Sequence, residues 1–139
     1  MPPSRAVCYV VAMDVAAALK GVRAAAETQA GLRALLLFGS RARGDAAATA
    51  DWDFGYLGED GFDPLDLRAA LVRLLATDDD DLVDLSAASG LLRFRAARDG
   101  VLAWGDPAEV ARFRLEAASF WCEAEPILRA AYDAVLERL

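Results

Sequence analysis

The sequence predicts an α/β (α+β) domain in which four short strands alternate with helices and a long helix closes the chain. Three observations carry that prediction. Apolar runs of strand length recur at Leu35–Phe38, Phe54–Leu57, Leu82–Leu85 and Val101–Trp104, each too short for a helix. The segments between them carry apolar residues at helical spacing, and the last of them is the longest. The length of 139 residues suits one domain that buries about two-thirds of its unfolded surface.

Each element has its own signals. Asp14 to Ala30 is Ala-rich, with Val15, Leu19 and Val22 on one stripe, and Gly31 stands where a helix-ending glycine belongs. Pro64 starts a second helix, Leu65 to Ala76, whose buried side is Leu67, Leu71, Leu74 and Leu75. The acidic run Asp78 to Asp81 reads as a solvated turn whose last member leads into the strand Leu82–Leu85. Ser86 to Arg98 reads as a helix capped by Ser86, and Asp99–Gly100 turns the chain into the fourth strand. Asp106–Pro107 then opens a helix towards Leu139, with an apolar stripe of Val110, Phe113, Ala117, Phe120 and Trp121 that continues through Leu128, Ala131 and Val135. Pro126 lacks an N–H and is expected to kink or split this helix near Glu125. The stripe has two available uses, packing onto the domain or meeting a partner protein.

Chemistry concentrates between Leu35 and Leu57. The first apolar run ends at Gly39–Ser40, a small Arg-containing segment follows, and Asp51–Trp52–Asp53 opens the next run. In an extended chain alternate side chains share a face, so Asp51 and Asp53 would point one way and Trp52 into the core on the other side. Paired carboxylates repel unless a cation sits between them. Mg²⁺ suits such a pair, because it takes oxygen ligands and completes its shell with water and substrate phosphates. Gly39 permits close backbone approach, Ser40 offers a hydroxyl, and the N–H groups of Ser40 to Ala42 would face an anion.

Gly39–Ser40, ten intervening residues from Arg41 to Ala50, and then Asp51–Trp52–Asp53 resemble the signature of the DNA polymerase beta superfamily of nucleotidyltransferases. Arg41–Ala42–Arg43–Gly44 and the string from Asp81 to Trp104–Gly105 resemble its minimal members, so the likeness runs from about Gly31 to Gly105. Ala50 and Trp52 depart from the usual residues but remove no ligand. The resemblance implies a nucleotidyltransferase fold with a small mixed sheet of about four strands, and a catalytic core over about residues 31–105 followed by a helical segment over about 107–139. It implies ATP as substrate, gripped around Gly39, Ser40, Arg41 and Arg43, and two Mg²⁺ ions about 4 Å apart held by Asp51, Asp53 and a third carboxylate. That third ligand registers at Asp81. Asp84 is its rival, and the two cannot share a strand face because they stand three positions apart. Minimal nucleotidyltransferases are commonly paired with a HEPN toxin, so the resemblance further implies an antitoxin that transfers AMP from ATP to a tyrosine of that toxin. Two alternatives stand beside it: an antitoxin that neutralises its partner by binding alone, and transfer of AMP to a small-molecule hydroxyl, which would need an acceptor pocket from a homo-oligomer.

Composition excludes several classes. With no histidine in the chain, zinc sites built on histidine and Ser-His or Cys-His catalysis are removed. A net charge of −7 gives no broad attraction for long nucleic acid. No apolar run approaches the roughly 20 residues of a membrane span. Ala6 to Met13 could mimic a signal-peptide core, but Asp14 interrupts it and the segment is read as part of the fold. Cys8 and Cys122 read as two small buried hydrophobes in a reducing compartment, which implies the cytoplasm. Lys20 is the single lysine among 15 basic residues, a bias taken as compositional.

Overall fold

In a computed structural model of the protein, which describes residues 15–44, 51–76 and 80–139, the elements follow the order α1 (Val15–Glu27), β1 (Leu32–Phe38), α2 (Ser40–Arg43), β2 (Trp52–Gly58), α3 (Leu65–Leu75), β3 (Asp80–Asp84), α4 (Gly90–Asp99), β4 (Val101–Gly105) and α5 (Pro107–Glu137). The expected N-terminal segment and Asp78–Asp79 lie outside the described residues, whereas Asp80, expected in the solvated turn, is a buried residue at the start of β3. The strands form one mixed sheet in the order β3-β2-β1-β4. β1 pairs antiparallel with both β2 and β4, whereas β3 lies parallel to β2. A parallel neighbour requires a crossover, and α3 supplies it.

Both faces of the sheet are covered, which is why β1 is apolar throughout. Leu35, Leu37, Trp52, Phe54 and Tyr56 pack with Leu19 and Val22 of α1 and Leu67 and Leu71 of α3. Leu36, Phe38 and Leu57 point the other way, against Ala96 of α4 and Val110, Phe113 and Ala117 of α5. Trp52 is buried, as expected.

Several sequence expectations need correction. The first helix ends at Glu27 rather than Ala30. Thr28 caps back onto the Ala25 carbonyl (2.8 Å), and the chain reaches β1 through a turn in which Gly31 holds φ 85°. Leu74 is 39% exposed, so the buried side of α3 is Leu67, Leu71 and Leu75. Ser86 does not cap a helix. Its N–H donates to Asp84 Oδ1 (2.9 Å), a local turn that Asp favours. Ser89 is the cap instead, accepting from the Leu92 N–H (3.2 Å).

Pro126 does not split the last helix, which continues to Glu137. The carbonyl it deprives of a partner is that of Cys122, an exposed residue, where water can replace the lost N–H. That exposure also overturns the expected burial of the Cys122 thiol, while Cys8 lies outside the described residues. Beyond Trp121 the helix leaves the domain, and Ile127, Leu128, Tyr132 and Val135 are all more than half exposed. Among the described residues no helix is long and apolar enough to cross a membrane.

Candidate active site

The site lies where β1 and β2 meet at one end of the sheet, with Phe38 opposite Asp53. β1 stops at Gly39, whose φ of 75° is a left-handed conformation that favours glycine. A Cβ there would fall 2.4 Å from Asp53 Oδ2. The glycine is therefore required twice, by its dihedral and by the carboxylate lying against its backbone. Ser40 opens the single turn α2, closed by bonds from the Arg43 and Gly44 amides to the Gly39 and Ser40 carbonyls (3.2 and 3.0 Å).

β2 begins at Trp52, one residue later than the Asp51 expected from sequence, so Asp51 stands exposed just outside the strand. Asp53 is half-buried and register-matched to Asp81 on the parallel strand β3. Neighbours at one level of a parallel pair share a face, so Asp53 and Asp81 share the face that α4 covers. Asp84 is matched instead to Tyr56 on the opposite face. There its charge, after burial, helps push the Tyr56 hydroxyl above its ordinary pKa. Burial likewise holds the Asp53 carboxyl above the usual carboxylate range, with the charges of Asp81 and Asp51 adding to the effect and Arg43 partly offsetting it.

In front of Asp53 opens a cleft of about 500 Å³ lined by Gly39, Arg43, Asp53, Arg95, Arg98 and Asp99, with Phe38 and Leu92 as its apolar floor. Asp99 holds two of these arginines. Arg98 binds it through two nitrogens (3.0 and 2.9 Å), and Arg43 approaches at 3.4 Å. These bonds keep the Asp99 carboxyl below its usual pKa. Arg41 goes elsewhere: it is buried, stacked 4.2 Å over the Trp52 ring on the opposite face, and does not line the cleft. Arg95 and Arg98 lie some 50 residues beyond the Gly-Ser turn and outside the motif that marks the site in the sequence. Their spacing of three on a helix that follows the third carboxylate was the available signal.

Among the described residues no group of three or more His, Cys, Asp or Glu side chains forms a ready cage for a metal ion. Mg²⁺ asks for less, since one or two carboxylates, water and substrate phosphates complete its shell. The donors present suit it. All are hard oxygens, and Asp53 bears a repulsion from two neighbouring carboxylates that a cation relieves.

The sequence profile of the family described as "Polymerase beta, Nucleotidyltransferase" matches residues 20–106. The chain belongs to the polymerase beta nucleotidyltransferases. The matched span contains every element from β1 to β4, and with them the whole cleft. No curated protein matches the chain, but solved structures do. A chain of a toxin–antitoxin complex with AMP-PNP is similar to this nucleotidyltransferase at TM-score 0.71 and 25% identity, covering 88% of this chain and 99% of its own length. A chain of the complex of tri-AMPylated Shewanella oneidensis HEPN toxin with MNT antitoxin is similar at TM-score 0.61 and 27% identity, covering 77% and 85%.

Proposed function

We propose that this nucleotidyltransferase is an antitoxin that moves AMP from ATP to a tyrosine hydroxyl of a HEPN toxin. The observation that carries the reading is the register-matched pair Asp53–Asp81, with Asp51 beside it, at the mouth of an arginine-lined cleft. The similar complexes support the substrate classes, one through its AMP-PNP and the other through its AMPylated HEPN toxin and MNT antitoxin. In this reading the tyrosine oxygen bonds to the α-phosphorus as its proton passes to solvent, and the α–β phosphoanhydride bond breaks with its electron pair leaving on pyrophosphate. Use of ATP fits a chain that works in the cytoplasm.

Each residue has a part in that transfer. Asp51, Asp53 and Asp81 would hold Mg²⁺. The metal, when bound, supplies Lewis-acid polarisation of the phosphoryl oxygens and a lowered pKa for the acceptor hydroxyl. Gly39 lets backbone and substrate approach Asp53 without a side chain between them, and Ser40 offers its hydroxyl and amide at the same turn. Arg43, on the cleft wall, meets the negative charge of the phosphates. The protein thus contributes positioning and charge neutralisation, with no covalent nucleophile.

Incubation of the chain and a HEPN toxin with Mg²⁺ and ATP labelled at either the α- or the γ-phosphorus tests this. Label retained on a toxin tyrosine from α-labelled but not γ-labelled ATP is the expected result. Inhibition of the toxin with no label retained would replace the transferase with a contact inhibitor.

A further inference from the structure

The wall of the carboxylate cleft formed by α4 carries two arginines, Arg95 and Arg98, in a protein of net charge −7. Leu92, Arg95, Arg98 and Asp99 fall on one face of that helix, at spacings of three and four, while Ala96 and Ala97 face the core. We infer that Arg95 and Arg98, together with Arg43, grip the polyphosphate tail of the nucleotide. This rests on the nucleotidyltransferase reading of the site and adds the α4 side of the cleft to it.

The arrangement of the three guanidinium groups argues for an anion. Arg98 is held by both of its bonds to Asp99 and lies 5.7 Å over the Phe94 ring. Arg43 reaches the same carboxylate from α2. One aspartate therefore positions two arginines and leaves one positive charge uncompensated. Arg95 lines the same cleft, is exposed, and among the described residues takes part in no hydrogen bond or ion pair. The lining carries three positive charges against the two carboxylates of Asp53 and Asp99. Guanidinium forks match phosphate oxygens in pairs, which an ammonium cannot do. A cleft lined by the Asp53 carboxylate on one side and arginines on another fits a substrate that is both metal-bridged and polyanionic. A neutral acceptor would use only one of these features.

The test compares binding of ATP and AMP, each with Mg²⁺, to the full chain and to Arg95→Gln, Arg98→Gln and Arg95→Lys, with melting temperature as a check on folding. ATP affinity is expected to fall about tenfold or more in each Gln variant. AMP affinity should hold within about twofold, and Arg95→Lys should recover part of the loss. Unchanged ATP affinity in both Gln variants would overturn the inference. So would an equal loss for ATP and AMP, which would move the arginines to the nucleoside. Because binding is read without transfer, a wild-type chain that binds ATP in this pattern but modifies no toxin would overturn the antitoxin reading and uphold this one.

Discussion

Asp53 of β2 and Asp81 of β3 stand at the same level of a parallel strand pair, and Asp84 stands with Tyr56 on the other side of the sheet. The two candidates for the third carboxylate are therefore separated by a whole sheet layer. Asp81→Asn is expected to reduce AMP transfer by about 100-fold or more, while Asp84→Asn leaves it within about twofold. Initial rates with saturating ATP check both. Equal losses in the two variants would remove Asp81 from the site.

The crowding of charge around Asp53 has a stability signature. Its carboxyl is raised by burial and by Asp81 and Asp51, so the folded state favours the protonated form and ionisation above the unfolded value costs stability. Asp53→Asn should therefore raise the melting temperature of the metal-free protein at neutral pH. Added Mg²⁺ should raise that of the wild type and have a smaller effect on the variant. A thermal scan with and without EDTA measures both.

Gly39 is fixed by geometry. Alanine there meets the strain of a positive φ at ψ −160°, about 1–3 kcal/mol, and a Cβ pressed into the Asp53 carboxylate. Gly39→Ala is expected to lose both stability and transfer. Gly44→Ala, also at positive φ but with no described residue within 4 Å of its Cβ position, should lose stability alone. Denaturant melts and transfer rates for the two variants separate strain from obstruction.

Asp99 supplies the acid limb. Arg98 and Arg43 hold its pKa low, so its contribution is present above the unfolded carboxylate value and is lost as pH falls through the folded one, below about pH 4. Asp99→Asn should flatten stability against pH in that window. The effect will be modest, because the group is close to solvent.

Much of this was legible in the sequence because the signals were local. The four apolar runs marked four strands, and alternation put Trp52 in the core. The spacing of Asp81 and Asp84 already required opposite faces, although only the register of β3 against β2 shows which one faces Asp53. The failures were competitions between equally local choices. Ser86 and Ser89 both resemble caps, and the Asp84 side chain took the Ser86 amide. Leu74 fits the helical stripe but sits at the rim of its packing, and Pro126 is tolerated where α5 has already left the domain. The spacing of Arg95, Arg98 and Asp99 puts them on one helix face, but only the packing of α4 over the sheet, a long-range arrangement, brings that face to the site.

The most direct measurement is the intact mass of a HEPN toxin after incubation with Mg²⁺, ATP and either the wild-type chain or Asp53→Asn. A gain of one or more AMP units is expected with the wild type and none with the variant, while both chains remain folded. An unmodified toxin in both reactions, or equal modification in both, would contradict it.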